Sequence, residues 1–473
     1  MSDFFNKVQQ LAQTSPQKTA IISAQGETTY ADLMGYCAAI LDHIPADKKT
    51  VAIYGPSSAL WVAALLALEF SGKRIVPLPE FFSREQCQHV LQDCSVDFIL
   101  RDPICPGFDG VDDYVWSFAQ ASMKQGRAKP SQQILYTSGT SGTPKGVLHD
   151  SAVLDAKANA LIAAAKADAR DRHLSVLPFS LLLEQIVGVR LALSIGACCI
   201  IEPMVFQRCM TGDFSLLHQV TEQFKPTTSV LVPELLRGWV LSLDNVRKNA
   251  VETLRYVAVG GGHVPDGLAQ RAWDLNIPVY EGYGLTECAS VVCVNHFGQR
   301  KAGTVGKPLE GVAINICEGE IQVQGPSVMQ GYLHGDPVQD CWMTGDEGTI
   351  DEDGYLQVYG RKDNVLVTSL GRNINPEWVE NKVLEDPRIE RCFVFGEEKA
   401  FPSAVLVVHP PFKAHFKVPD NKETLIQQLF QGIPAYAVPD RLIVSDRETL
   451  HQQGLLTSNA RPKRKAITQF YSL

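Results

Sequence analysis

From about residue 16 to residue 110 the chain alternates short runs rich in Val and Ile with stretches of helical period: TAIISA, TTYADLMGYCAAILDHI, TVAIYG, ALWVAALLALEFSG, RIVPL, REQCQHVLQDC and VDFIL. Strands separated by helices pair in parallel only through crossovers, and right-handed crossovers lay helices on both faces of a sheet. The alternation resumes downstream in LSVLPF, ACCIIEP, TSVLVP, YVAVGGG and IPVYEGYG, each ending in Gly, Pro or a polar turn. This pattern predicts an α/β fold of layered αβαβα sheets, with ligands at the strand ends. After residue 300 the character shifts to VAINICEGEIQVQGPS and WMTGDEGTIDEDGYLQVYG, where CEGE and DEDG read as hairpin turns of a small antiparallel β subdomain. A polar stretch at 361–364 opens a new α+β pattern. We therefore expect a large N-terminal domain over 1–360 and a small C-terminal domain over 361–473.

Composition narrows the function classes. Hydrophobic residues at 45% and charged residues at 20% are those of a soluble globular protein, and a net charge of -9 opposes a nucleic-acid surface. The twelve cysteines are scattered apart from the adjacent Cys198 and Cys199, with no C-x-x-C pair, and the eleven histidines show no HExxH spacing. These are the reduced thiols of a cytoplasmic protein without a metal site built by the protein alone. MSDFFNKVQQ is too polar for a secretory signal. LWVAALLAL is broken by Glu69 and too short for an integral membrane segment.

Between the two stretches of alternation lies YTSGTSGTPKG, residues 136–146. Gly139, Gly142 and Gly146 permit positive φ and close backbone approach, while Thr137, Ser138, Thr140, Ser141 and Thr143 bring hydroxyl donors. Lys145 adds a mobile cation for phosphate oxygens. The lead-in Ile134, Leu135, Tyr136 reads as the end of a buried strand, and VLHDSAVLDAKANALIAAAKA as a polar turn entering a long helix: a strand, loop and helix around a phosphate. It is not the common nucleotide P-loop, because Pro144 precedes Lys145 and Gly146 follows it. Taken alone, the stretch also reads as a solvated surface loop.

Other strand ends carry candidate chemistry. YVAVGGGHVP places Gly260, Gly261 and Gly262 where a flat ligand can approach, or where the chain simply turns. VYEGYGLTECAS offers the Glu281 carboxylate, the Tyr283 ring between Gly282 and Gly284, the Thr286 hydroxyl and the Glu287 carboxylate. A base can stack on such a ring, and a carboxylate beside a polyphosphate serves a magnesium ion. Asp346 in TGDEG and Arg361 in GRKD stand at the far end of the antiparallel segment.

With these residues assembled, the chain resembles the adenylate-forming superfamily that includes acyl-CoA synthetases, luciferases and nonribosomal peptide adenylation domains. YTSGTSGTPKG, YEGYGLTE, TGDEGTIDEDGYLQVYGRKDN and SLGRNINPEWVE occur in family order over nearly the whole chain. The resemblance implies that a carboxylate attacks the α-phosphate of ATP to give an acyl-adenylate and pyrophosphate, after which a thiol displaces AMP. By similarity the loop hydroxyls and Lys145 meet the triphosphate, Thr286 a phosphate oxygen and Glu287 the Mg²⁺. Tyr283 stacks on adenine beside Gly260, Gly261 and Gly262, Glu281 joins the nucleotide contacts, and Asp346, helped by Arg361, accepts from the ribose. The small C-terminal domain is expected to be mobile about Asp363, with Gly371 in SLGRNINPE admitting a pantetheine arm.

The chain also departs from the family pattern. The C-terminal segment like T-x-N-G-K is here Thr457, Ser458, Asn459, Ala460, Arg461, so the catalytic cation falls to Arg461 or to Lys463, with Lys465 close behind. Read plainly, RPKRK is a solvated basic tail. Phe179 is followed by Ser180, Leu181, Leu182 and Leu183 and not by an aspartate, which disfavours an α-amino acid substrate. LSVLPFSLLLEQIVGVRLAL would form an apolar acyl wall or plain core. The expected activity is ligation of an apolar, fatty-acid-like small-molecule carboxylic acid to CoA or to the phosphopantetheine of a separate acyl-carrier protein. An aryl or short-chain acid ligase of secondary metabolism and a non-catalytic nucleotide-binding protein stay open as alternatives.

Overall fold

The Val- and Ile-rich runs pair as the alternation predicts. A computed structural model describes residues 3–123, 126, 128–137, 144–210, 213–339, 341–369, 371–386, 388–396, 399–409, 412–416, 422–456 and 462–473. One seven-stranded sheet runs in the order Gly331–Tyr332, Lys145–Asp150, Gln132–Thr137, Arg74–Leu78, Thr50–Tyr54, Phe98–Arg101, Asp112–Val115. It is parallel from Gln132–Thr137 onward and antiparallel at the other end. A nine-stranded sheet runs Lys307–Pro308, Ser290–Val294, Val279–Leu285, Tyr256–Val259, Thr228–Leu231, Arg172–Ser175, Cys198–Ile201, Thr19–Ser23, Gly26–Thr29, parallel through its middle and antiparallel at both edges. Ile21 and Ile22 lie against Cys199 and Ile200, so the first strand of the chain closes onto one formed far downstream.

The helix Ala59–Ser71 lies between the two sheets. Ser58 caps it by accepting from the Trp61 N–H, and Gly72 ends it at φ 69°. Its sequence is apolar on every side because every side is buried. The core around it takes Val51, Ile53 and Ile75 from one sheet and Ile21, Cys199 and Ile201 from the other. Glu69, near its end, is fully buried and accepts from Arg190, whose other arm reaches Asp155 at 2.5 Å. Asp155 also accepts the backbone N–H groups of Asp3 at 2.6 Å and Phe4 at 3.2 Å, and the Phe4 ring lies 5.3 Å from the guanidinium.

Arg190 belongs to a π-helical turn, Gln185–Leu191. At Gly188 there is no room for a Cβ, because the Glu184 carboxylate fills that position. Glu184 accepts from the Leu177 N–H at 3.2 Å and lies 3.4 Å from His173 Nε2. Two buried carboxylate sites thus flank the widened turn, the kind of irregularity that π geometry accommodates.

One expectation is corrected. The stretch after the Gly/Ser/Thr loop is not a turn into a helix: Lys145–Asp150 is a strand, antiparallel to Gln132–Thr137, with Tyr136 opposite Gly146 and Thr137 opposite Lys145. Val147 and His149 are buried, and this short alternation supports a strand before the helix Ser151–Ala165 begins. The Gly/Ser/Thr loop therefore joins the two strands of a β-hairpin.

Beyond the four-stranded antiparallel sheet built from Ala313–Cys317, Glu320–Gln324, Cys341–Ile350 and Leu356–Arg361 lies a three-stranded sheet, Ile389–Phe395, Ser403–Val408 and Arg441–Ser445. One of its faces packs Val379 and Val383 of the helix Pro376–Val383, the other Leu450 and Ile467. Arg237 donates to the Leu384 carbonyl at 3.3 Å and Arg391 pairs with Glu234 at 3.5 Å, tying this unit to the larger one. Among the described residues no helix is long and apolar enough to cross a membrane.

Arg190→Met is expected to destabilise the chain by about 3–5 kcal/mol, because two carboxylates lose their buried cation. The double change Arg190→Met with Glu69→Met should recover part of that loss. Urea unfolding followed by circular dichroism reads both.

Candidate active site

The hairpin that bears the loop is held by contacts on both stems. The Tyr136 ring lies across Gly146, where an added Cβ would sit 3.1 Å from the ring carbon Cζ. Lys145 is exposed and its Nζ stands 5.4 Å from the centroid of the Tyr332 ring. Ser138, Gly139, Thr140, Ser141, Gly142 and Thr143 lie outside the described residues, and of Thr137 only the backbone pairing with Lys145 is described.

Tyr332 also donates from its hydroxyl to Glu287 Oε1 at 2.8 Å. Burial, and then the Glu287 charge, push the Tyr332 phenol above its ordinary range, so it stays a donor. One ring therefore links Lys145 to Glu287, which sequence reasoning paired only by similarity. The Met329 N–H donates to the Glu287 carbonyl at 2.7 Å, and the Leu333 N–H to that of Gly146 at 2.8 Å, so this short strand is stitched to both partners. Behind Glu287, His149 Nε2 lies 2.6 Å from the Thr286 carbonyl. Burial pushes the His149 imidazole down to about 4, so at neutral pH the ring is uncharged and Nε2–H donates. Neither Tyr332 nor His149 had been singled out. The aromatic side chain beside a Gly in GYLH was the one available signal, and it needed the tertiary pairing to be read.

A second cluster forms around Tyr283, on the strand Val279–Leu285 that precedes the Glu287 turn. The Tyr283 hydroxyl donates to Asp346 Oδ2 at 2.5 Å, and Arg361 Nη1 reaches Asp346 Oδ1 at 3.2 Å and the Thr344 carbonyl at 2.8 Å. Asp346 and Arg361 are direct cross-strand partners. Gly345, at φ 74°, keeps the guanidinium in place, since a Cβ there would come within 2.8 Å of it. Burial foremost, and then the Asp346 charge, hold the Tyr283 phenol well above its usual range.

The glycine run and the apolar stretch also meet. A Cβ on Gly260 would lie 3.4 Å from the Gly282 carbonyl and 4.0 Å from a Leu183 methyl; one on Gly261 would lie 3.7 Å from Val232. Phe179 and Leu182 are core residues, whereas Leu181, Leu183 and Val187 are half-buried. The segment is core on one face, and its half-buried leucines and valine also pack against that core. A Cβ on Gly262 would touch Pro233. Glu281 is buried beside Gly282; burial, with Asp266 adding, pushes its carboxyl up to about 8, so it is largely protonated at neutral pH.

Of the C-terminal candidates, only Asp363 is described beside either cluster, next to Arg361. Asp363 sits in the 3₁₀ turn Lys362–Asn364, its side chain 80% exposed and 3.8 Å from Arg361. Gly371, at φ 71°, lies at an exposed tip where an added Cβ would meet nothing within 4 Å, so this structure does not bring it against Lys145 or Glu287. Lys463 donates to the Gly454 carbonyl at 3.1 Å within its own unit, Lys465 is exposed, and Arg461 lies outside the described residues. RPKRK is not wholly a solvated tail: Arg464 donates to Glu380 at 2.8 Å and to the Val394 carbonyl at 2.9 Å.

Comparison with known proteins bears on these clusters together. Residues 8–333 match the family described as AMP-binding enzyme, and residues 363–444 the AMP-binding enzyme C-terminal domain. The 2-succinylbenzoate–CoA ligase of Bacillus subtilis strain 168 is 28% identical over 496 residues, covering 93% of this chain and 94% of its own. An anthranilate CoA ligase solved with anthranoyl-AMP superposes with a TM-score of 0.84 at 18% identity, over 98% of this chain and 96% of that one. The B. subtilis O-succinylbenzoate coenzyme A synthetase, solved with ATP and a magnesium ion, gives 0.79 at 24% identity, over 97% and 98%. The fold is accordingly the α/β arrangement of a large N-terminal domain with mixed sheets and a small C-terminal domain. The chain belongs to the AMP-binding enzyme family, the adenylate-forming enzymes, and the relatives it matches are acid–CoA ligases.

Proposed function

We propose that this enzyme activates an apolar carboxylic acid with ATP to give an acyl-adenylate and pyrophosphate, then transfers the acyl group to the thiol of CoA. The observation that carries this reading is Tyr332, which joins Lys145 to Glu287 in the 3₁₀ turn Thr286–Cys288, directly after the strand Val279–Leu285 whose Tyr283 bonds Asp346. A triphosphate at the first cluster and a ribose at the second would span one nucleotide. Phosphoryl-type displacement asks for positioning and charge neutralisation more than for covalent help. Lys145 would take β- and γ-phosphate oxygens, and Thr286 a further oxygen. Asp346, oriented by Arg361 and Tyr283, would accept from the ribose hydroxyls.

Glu287 fits a magnesium ion, which binds through one or two carboxylates and leaves its other positions to phosphates and water. Bound there, it would neutralise charge on the departing pyrophosphate. Tyr332 occupies one oxygen of Glu287 and so aims the other. The acid would lie against Leu183 beside Gly260. The CoA ligases among the relatives favour CoA over a carrier protein. Their names also favour a second reading in which the acid is aromatic. The C-terminal unit would turn at Asp363, whose exposure leaves backbone rotation unopposed by packing, to carry first Arg461 or Lys463 and then Gly371 to the reacting carbon.

Acid-dependent exchange of labelled pyrophosphate into ATP, run with aliphatic and aryl acids and followed by thioester formation with CoA, tests the reading. Exchange with no acid, while ATP still binds, would sink it in favour of a nucleotide-binding protein. Asp346→Ala should raise the KM for ATP roughly ten- to hundredfold, as expected for losing a charged hydrogen-bond acceptor. Tyr332→Phe should raise the Mg²⁺ concentration for half-maximal exchange about threefold or more, with Glu287→Gln far more severe, both read by magnesium titration of the exchange rate.

A further inference from the structure

The helix Arg84–Asp93 touches both stems of the phosphate loop, although nothing in its sequence marks it as part of a site. Asp93, at its end, accepts from the Tyr136 hydroxyl at 2.5 Å. His334 returns to the same residue, its Nε2 lying 3.0 Å from the Asp93 carbonyl and 3.2 Å from its carboxylate. The Cys94 thiol lies 3.3 Å from the Tyr136 hydroxyl, and His89 Nε2 lies 3.4 Å from the Pro144 carbonyl. Burial foremost, then Cys94 and Asp93, hold the Tyr136 phenol far above its ordinary range, so it donates throughout the working pH range.

These contacts close a ring. Asp93 holds the Tyr136 hydroxyl, the Tyr136 ring lies across Gly146, the Gly146 carbonyl accepts from the Leu333 N–H, and His334 leads back to Asp93. Lys145 is attached to this ring through Gly146, and Tyr332 through Leu333. The two residues that carry the phosphate cation and aim the Glu287 carboxylate are therefore referred to one carboxylate on a helix outside the hairpin.

We propose that Asp93 is a positioning residue of the phosphate site, fixing Lys145 and the Tyr332–Glu287 pair relative to each other through Tyr136 and His334. The inference rests on the ligase reading only where that reading places a triphosphate between Lys145 and Glu287. Misplacing a cation or a metal carboxylate costs affinity for the phosphates and not for the acid.

The test uses the full chain with Asp93→Ala, Asp93→Asn, Tyr136→Phe and the double variant Asp93→Ala/Tyr136→Phe. Binding of Mg·ATP by calorimetry is measured beside exchange kinetics and the thermal midpoint. Asp93→Ala and Tyr136→Phe are each expected to weaken ATP roughly tenfold, with the KM for the acid moved by less than about twofold. The double variant should be no worse than Asp93→Ala, since both changes open the same ring. Asp93→Asn should fall between, because its amide oxygen still accepts from Tyr136. If Asp93→Ala does not fold, Asp93→Asn and Tyr136→Phe carry the comparison.

A lowered thermal midpoint with unchanged ATP affinity would overturn the proposal, as would independent effects that multiply in the double variant. Wild-type protein that binds ATP but exchanges with no acid, with affinity lost in Asp93→Ala, would overturn the ligase reading and support the positioning role. Unchanged ATP affinity in the variants of an active ligase would do the reverse, and wild type that binds no ATP would overturn both.

Discussion

A charge inside an otherwise apolar helix sets the architecture. The helix Ala59–Ser71 can fill the space between two sheets only because it is apolar on all sides, and Glu69 breaks that condition at zero exposure. Arg190 answers it from a π-helical turn, with Asp155 taking the second arm of the guanidinium and anchoring the N-terminal residues Asp3 and Phe4. A buried ion cluster of this kind adds little net stability over an apolar substitute, but it accepts few alternatives. It fixes the helix between the sheets, the helix Ser151–Ala165 behind the loop hairpin, and the π turn in one mutual arrangement. Leu183, just before this turn, lies beside Gly260, so the acyl wall proposed there would inherit its placement from the ion cluster.

Much of the fold was legible because the strands are short Val- and Ile-rich runs ending at Gly or Pro, and the residues after those ends were legible as site candidates for the same reason. Asp346 and Arg361 could be placed at one end of an antiparallel segment, and the structure makes them direct partners. What remained unreadable depends on pairings between distant parts of the chain. Lys145–Asp150 looks like a lead into a helix, because the long helix after it dominates the local pattern. Only the antiparallel partner Gln132–Thr137 makes a strand of it, and a local reading cannot see a partner across a glycine-rich loop. The π turn was equally hidden, since LLLEQIVGVRLAL satisfies an ordinary helical period and the reason for Gly188 is the Glu184 carboxylate that fills its side-chain position.

The candidate site shows the same division. Residues proposed to face a ligand carry chemistry in their own names, as with Lys145, Glu287 and Asp346. Those that aim them do not, because tyrosine, histidine and methionine are ordinary core and surface residues until a neighbour is known. Tyr332 lies 45 residues from Glu287 along the chain and His149 lies 137 residues from Thr286. The loop's stems pair as a hairpin, so Lys145, the cation proposed for the phosphates, is carried on a strand and not at the start of a helix.

The pairing of Ile21 and Ile22 with Cys199 and Ile200 bears on how the chain is made. The strand Thr19–Ser23 and its hairpin partner Gly26–Thr29 are synthesised well before their neighbour Cys198–Ile201, about 170 residues further along the chain. During that interval the hairpin has one unsatisfied edge, and the strands that follow it directly belong to the other sheet. Such long-range closure makes folding slow and leaves an aggregation-prone edge exposed during synthesis. That edge can close only once residues 198–201 have been made, whatever the stability of the finished molecule.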